Sequence, residues 1–318
     1  MKKRQLGTSD LYVAPLTLGC NVFGWTIDEQ QSFEILDGFV AADFNLLDTA
    51  DVYSTWKPGN TGGESETIIG NWLKQRGNRS KVIVATKVGA DMGQGKKDLS
   101  KAYILKAVEA SLKRLQTDYI DLYQTHWDDD TNLPVEETLE AYQQLVQEGK
   151  VRWIGASNLT PARLLASLEA SKKHGYPAYQ TFQPEYNLYE REGFEKEMEG
   201  ICLENRLGVI SYFSLAAGFL TGKYRSEADL GKSIRGNGMK KYLNERGQNI
   251  LAALDKVAAD YQSTPASVAL AWLIARPSVT APIASATSLE QLASLTKSAA
   301  LKLNDEAISL LNKASDWK

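Results

Sequence analysis

Apolar positions in this chain change their spacing at regular intervals. Short runs such as Leu46-Leu47, Val82-Ile83-Val84-Ala85 and Ile120-Asp121-Leu122-Tyr123 are nearly continuous, as in strands buried on both faces, and the stretches between them repeat at helical spacing. The pattern predicts strands near 16–18, 45–47, 82–86, 119–124, 151–155, 179–183, 208–212 and 279–283, with amphipathic helices between most neighbours. Such alternation predicts an α/β chain folded as a (β/α)8 TIM barrel. An N-terminal hairpin is expected from Arg4–Leu6 and Leu11–Ala14, turning at Gly7-Thr8-Ser9-Asp10. Extra C-terminal helices are expected from Leu243 to Ala259, from a Thr264 cap with Pro265 in the first turn, and from Asn304 or Asp305 to Trp317. Two polar stretches, 49–63 and 214–240, break the rhythm as long loops, which usually carry binding functions. No linker or further repeat interrupts the chain, so one domain over 1–318 is expected.

Composition narrows the function classes. With 43% hydrophobic and 24% charged residues the chain has ample material for a large core, and a net charge of −3 offers no footprint for nucleic acid. The first residues turn polar before any apolar stretch of signal-peptide length, and no window reaches the length of a membrane span, so the cytoplasm is the expected compartment. Cys20 and Cys202 are too few for a disulfide framework or a zinc site, and with two histidines the chain is not expected to use a metal. No G-x-G-x-x-G fingerprint is present, which argues against a Rossmann domain.

Candidate chemistry lies where apolar runs end. Asp48, Lys87 and His126 each close one, and Tyr53 follows Asp48 by five positions; at the carboxyl ends of parallel strands all four would face one mouth. Singly, each has a plain explanation: Asp48 as a helix cap, Tyr53 as a loop anchor, Lys87 as a solvated charge, His126 as a satisfied structural residue. As an ordered set the segments Asp48-Thr-Ala-Asp-Val-Tyr53-Ser, Ala85-Thr-Lys87-Val-Gly and Gln124-Thr-His126-Trp closely resemble the aldo-keto reductase superfamily. Further matches run along nearly the whole chain, at Gly149–Asn158, Gln183–Asn187, Tyr212–Tyr224 and, more weakly, Pro282–Leu292.

The resemblance implies an Asp48/Tyr53/Lys87/His126 tetrad reducing an aldehyde or ketone reversibly, with hydride from NAD(P)H and the proton from Tyr53. In that scheme Lys87 lowers the Tyr53 pKa, Asp48 holds the lysine charged, and neutral His126 orients the carbonyl. Lys87→Met is expected to abolish reduction with the fold intact. The same resemblance assigns Ser157, Asn158 and Gln183 to the nicotinamide carboxamide and Tyr212 to stacking on its ring. Phe213, Ser214, Leu215, Ala217, Gly218 and Lys223 fall to the pyrophosphate, and Gly19, Cys20, Asn21 and Asp48 also join the cofactor set. Two places depart from the family pattern: Phe213-Ser214 stands where relatives have Ser-Pro, and Gln291, Ser294 and Leu295 stand where a basic residue and a Glu-Asn pair are usual. Lys223, Arg225 or Arg235 would then meet a 2′-phosphate, favouring NADP(H) over NAD(H), with Ser285, Thr287 and Gln291 as polar contacts.

The small-molecule carbonyl pocket is expected from Trp25, Trp56, His126 and Trp127, with Asn21 and Phe23 nearby. Trp25 and Trp56 have plain loop packing as an alternative. Asp128-Asp129-Asp130 reads as a solvated loop that would disfavour anionic substrates if it faced the pocket. His174, before Gly175, reads as a helix-end residue. Two other function classes stand beside the reductase: a nicotinamide-sensing regulatory subunit with slow turnover, and a barrel hydrolase or lyase using Lys87 as a Schiff base, which is disfavoured because it leaves Asp48 and Tyr53 without a task. The oligomeric state is not legible.

Overall fold

The computed structural model of the chain describes residues 2–317; Met1 and Lys318, the ends of the expected domain, lie outside the described residues. After a hairpin of β1 (Arg4–Gln5) and β2 (Tyr12–Val13), eight parallel strands follow: β3 (Thr17–Gly19), β4 (Leu46–Asp48), β5 (Ile83–Val88), β6 (Ile120–Thr125), β7 (Val151–Ser157), β8 (Thr181–Gln183), β9 (Gly208–Val209) and β10 (Ile283–Ala284). Their spatial order is β10-β3-β4-β5-β6-β7-β8-β9. The ring closes between its end strands through Thr280 N–H to Val209 O at 2.8 Å and Ile283 N–H to Ser211 O at 2.8 Å. This is the expected (β/α)8 barrel with its N-terminal hairpin.

The last two strands are shorter than the apolar runs that predict them. Pro282 has no N–H and breaks the ladder inside 279–283, and Tyr212, which donates to Pro184 O at 2.9 Å, continues β9 only as extended chain.

Helices α1 (Glu29–Ala41), α2 (Glu64–Arg76), α3 (Lys101–Leu115), α4 (Val135–Gln147), α5 (Pro161–His174) and α6 (Glu199–Glu204) connect the strands. Helices α7 (Glu245–Asp260) and α8 (Pro265–Ala275) precede β10, and α9 (Leu289–Lys297) and α10 (Asp305–Ala314) follow it. Thr264 accepts from Ser267 N–H with Pro265 in the first turn, and Asn304, not Asp305, caps α10. His174 ends α5 with Gly175 in the left-handed region as C-cap. Among the described residues no helix is long and apolar enough to cross a membrane.

Side-chain alternation turns this topology into a site. Leu46, Ile83, Ala85, Leu122, Ile210, Ala281 and Ile283 point into the barrel, where Leu6, Leu11 and Val13 of the hairpin pack beneath them and close the amino end. Positions of the same parity, two residues further along, carry Asp48, Lys87, Gln124, Tyr212 and Ser285. The apolar floor and the polar mouth are therefore successive layers of one barrel interior. At the floor Asp121 accepts from Arg79 and Arg152, each at 2.7 Å, and Arg152 reaches Asp10 of the hairpin turn at 3.0 Å.

Candidate active site

At the carboxyl end of β5, Lys87 is fully buried and its ammonium donates to three oxygens: Asp48 Oδ2 at 2.8 Å, Thr49 O at 2.8 Å and Tyr53 Oη at 3.2 Å. The plain alternative, a solvated lysine, does not hold: Lys87 is a fixed internal cation against Asp48 and Tyr53. Burial alone would push its pKa down, but the charges of Asp48 and Tyr53 and their hydrogen bonds outweigh that and raise it. A lysine held charged in this way is a poor Schiff-base nucleophile.

Tyr53 departs from the expectation in sign. Burial raises its pKa, and Lys87, though it pulls the value down, does not overcome that penalty; the phenol stays above the usual tyrosine range. At neutral pH the phenol keeps its proton. The Tyr53 and His126 rings meet edge to face with centroids 5.9 Å apart. Burial, with the Lys87 charge adding to it, drives the His126 pKa well below 6.5, and its Nδ1 is a buried atom with no hydrogen-bond partner among the described residues. The neutral imidazole expected from sequence is the form this environment selects.

The amide and hydroxyl residues of neighbouring strands form one network with the tetrad. Gln183 Nε2 donates to Asp48 Oδ1 at 2.9 Å, Ser157 Oγ donates to Gln183 O at 2.8 Å, and Asn158 Nδ2 donates to His126 O at 3.0 Å. Tyr212 Oη donates to Asn158 Oδ1 at 2.9 Å. Gln124, absent from the sequence-derived set, joins by donating to Asp48 Oδ1 at 3.4 Å. Its place two residues before His126, on the same strand face, was the available signal.

Behind the mouth, Asp51 lies buried beside Glu66, which pairs with Arg114 at 2.6 Å. Burial and the Glu66 charge raise the Asp51 pKa to about 8.

The segment after Tyr212 has the build of an anion cradle. Phe213, Ala216 and Ala217 take φ values of 49°, 47° and 54°, left-handed conformations that cost energy in residues other than glycine, and Gly218 follows at 106°. A side chain on Gly218 would come within 3.6 Å of Lys223 Nζ, so this exposed ammonium stands over the turn. Left-handed turns that gather backbone N–H groups beside a cation suit phosphate oxygens. Phe213 is exposed, Leu215 half-buried, and Ser214 turns inward to donate to Ser211 O at 2.9 Å.

On the other flank, Gly19 pairs with Asp48 in register, and Ser285 Oγ donates to Asn21 Oδ1 at 2.7 Å. Cys20 is buried among the apolar residues between strands and helices. Gln291 accepts from Thr287 N–H and Oγ1 at 3.0 and 3.1 Å.

The loop cations, the aromatic residues of the expected pocket and the acidic run have the following neighbours. Arg225 is held by Asp255 through two contacts of 2.7 Å. Arg235 lies 4.8 Å from the Trp25 ring centroid; Trp25 meets Trp56 at 5.6 Å, and Trp56 meets Tyr53 at 5.4 Å. Trp127 lies beside His126 at 6.0 Å. The acidic run is occupied elsewhere: Asp128 binds Arg163 at 3.0 Å, Asp129 accepts from Leu99 N–H at 3.1 Å, and Asp130 binds Lys97 at 3.3 Å.

Comparison with known proteins gives a consistent result. Residues 15–316 match the aldo/keto reductase family. The uncharacterized oxidoreductase YrpG of Bacillus subtilis (strain 168) is 35% identical, covering 98% of this chain and 95% of its own. The protein tas of Escherichia coli (strain K12) is 32% identical over 97% of this chain and 96% of its own, and the aldo-keto reductase YhdN of Bacillus subtilis (strain 168) is 35% identical over 91% and 84%.

Proposed function

We propose a reaction from one premise: this chain belongs to the aldo/keto reductase family. The reaction is reversible reduction of an aldehyde or ketone to the alcohol, with Tyr53 as proton donor. The observation that carries this reading is the Lys87 ammonium bonded at once to Asp48 and Tyr53. A bound reduced nicotinamide dinucleotide would supply hydride to the carbonyl carbon. The residues suited to hold it are Ser157, Asn158 and Gln183 near the tetrad, the ring of Tyr212, and the 213–218 turn with Lys223.

The chain's own groups perform the rest. The carbonyl oxygen sits between the Tyr53 hydroxyl and the neutral His126 imidazole, whose N–H stabilises charge as it grows on that oxygen. Tyr53 passes its proton to the oxygen, and Lys87 stabilises the phenolate left behind. Asp48, fixed by Gln183 and Gln124, keeps Lys87 in place. In the oxidative direction the same phenolate takes the proton back. On charge NADP(H) is placed ahead of NAD(H), with Lys223, which has no carboxylate partner among the described residues, as the cation for the 2′-phosphate and the backbone N–H groups of the 213–218 turn for the pyrophosphate; Arg225 is committed to Asp255.

The test is oxidation of the reduced cofactor with a panel of small aldehydes. Turnover that falls by about 10²–10⁴-fold in Tyr53→Phe supports a general-acid role. Equal rates in the two proteins would overturn it, and tighter binding of NADH than NADPH would reverse the cofactor order.

A further inference from the structure

The long loop between β9 and α7 carries six cations: Lys223, Arg225, Lys232, Arg235, Lys240 and Lys241. Four have carboxylate partners among the described residues, namely Arg225 with Asp255, Lys232 with Asp229, Lys240 with Glu227 and Lys241 with Glu190. Lys223 stands over the phosphate-like turn and is accounted for by the cofactor. Arg235 is left. It is half-buried, its guanidinium lies over Trp25, and none of its side-chain nitrogens bonds an acceptor among the described residues. Burial depresses its pKa, and the groups that push back, Tyr224 and then Tyr53, include no carboxylate.

The position is built rather than accidental. Tyr224, Met239 and Tyr242 of the same loop are buried anchors, the Tyr224 and Ser233 hydroxyls share a hydrogen bond of 2.6 Å, and Ser233 Oγ accepts the Arg235 N–H at 3.2 Å. The carbon of the guanidinium connects through Trp25 and Trp56 to the ring of the proton donor, so the cation and the acid share one aromatic wall. A partly desolvated arginine without a counter-ion is costly unless a ligand provides one, and a guanidinium fork matches a carboxylate in two hydrogen bonds. One cation balances one negative charge, which favours a carboxylate over a phosphate dianion. The acidic run beside Trp127, which would have repelled such a ligand, is bound to Arg163, Lys97 and backbone N–H groups.

We infer that Arg235 is a specificity-determining residue that binds the carboxylate of the substrate, and that the substrate class is an oxo acid whose aldehyde or ketone is separated from its carboxylate by an apolar spacer lying along Trp25 and Trp56. The inference rests on the reductase reading above and adds the substrate's charge to it.

The experiment compares 4-carboxybenzaldehyde with its neutral methyl ester in the full-length protein, in Arg235→Met and in Arg235→Lys, with the NADPH Kd measured for each. The expected result is a kcat/KM at least tenfold higher for the acid than for the ester. In Arg235→Met that ratio should collapse by tenfold or more, mainly through KM, and Arg235→Lys should restore part of it. Equal kcat/KM for acid and ester, unmoved by either substitution, overturns the inference and leaves the reductase reading standing. A tenfold rise in the NADPH Kd with an unchanged ratio assigns Arg235 to the coenzyme and also overturns it. Failure of the unsubstituted protein to reduce either aldehyde while binding NADPH removes the reductase reading, and this inference with it.

Discussion

Lys87 is the residue on which chemistry and stability meet. The sequence expectation that Lys87→Met would spare the fold does not survive its complete burial, because the substitution leaves the Asp48 carboxylate buried without a counter-charge. Breaking such a pair costs about 3–5 kcal/mol, whereas removing both partners costs far less. Lys87→Met should therefore lose both turnover and several degrees of melting temperature, and Asp48→Asn combined with Lys87→Met should regain most of the stability with no turnover. A denaturant-unfolding cycle over the four proteins measures this; additive losses in the double variant would show that the two charges do not support each other. The meeting of Asp48, Lys87 and His126 was legible from strand ends, with Tyr53 in the loop beyond, and their proposed roles only from the family resemblance. The sign of the Tyr53 shift was not, since it depends on how deeply the phenol is buried, and neither was the tie between Arg235 and Trp25, which joins residues far apart in sequence.

At the scale of elements, strand parity decides which residues can meet. Gly155 on β7 points into the barrel between Thr181 and Gln124; a methyl group there would run into Thr181 Oγ1 and come within 3.1 Å of Gln124 Cγ. Gly155→Ala should cost about 1–3 kcal/mol by overpacking and should also lower turnover, because Gln124 and Gln183 together hold Asp48. Thermal melts and steady-state kinetics check this, and a variant with unchanged melting temperature would refute the steric argument. Apolar runs predicted all eight parallel strands because a doubly buried strand has few polar interruptions. They overextended β9 and set β10 too early, at 279–283 against Ile283–Ala284, because hydrophobicity marks burial and not ladder membership; in β10 Pro282 also lacks the N–H a ladder needs. The 214–240 stretch, expected as a loop, carries short 3₁₀ segments at Glu227–Lys232 and from Gly236 onward that have no apolar period to announce them.

The whole molecule's stability carries a pH signature set by buried groups of opposite sign. The folded Asp51 pKa of about 8 lies above its unfolded value of 3.8, so the folded state binds the extra proton between them and stability falls as pH rises through that window. His126 acts the other way: its folded pKa lies well below 6.5, so its contribution is lost as pH falls under 6.5 and is constant above. Between pH 6.5 and 8 the Asp51 term stands without that opposition. Asp51→Asn should accordingly flatten the decline in unfolding free energy over that interval, read from denaturant titrations at successive pH values. An unchanged slope would mean that Asp51 is ionised in the folded protein. Fold class was legible at this scale from alternation and the hairpin from its turn, but a buried carboxyl's proton count depends on how deeply it is buried and on how a neighbour such as Glu66 on α2 is turned towards it.

Ring closure also governs when competence appears during synthesis. Asp48 is steadied by Gln183, 135 positions downstream, and the hairpin made first supplies the floor beneath strands made last. A ribosome that has released the Asp48, Tyr53, Lys87 and His126 segments has delivered the proposed reacting groups without the ring that holds them together. Truncated products from interrupted translation would thus be inert towards cellular carbonyls, and splitting the gene within the α5 region should yield activity only when both halves are expressed together.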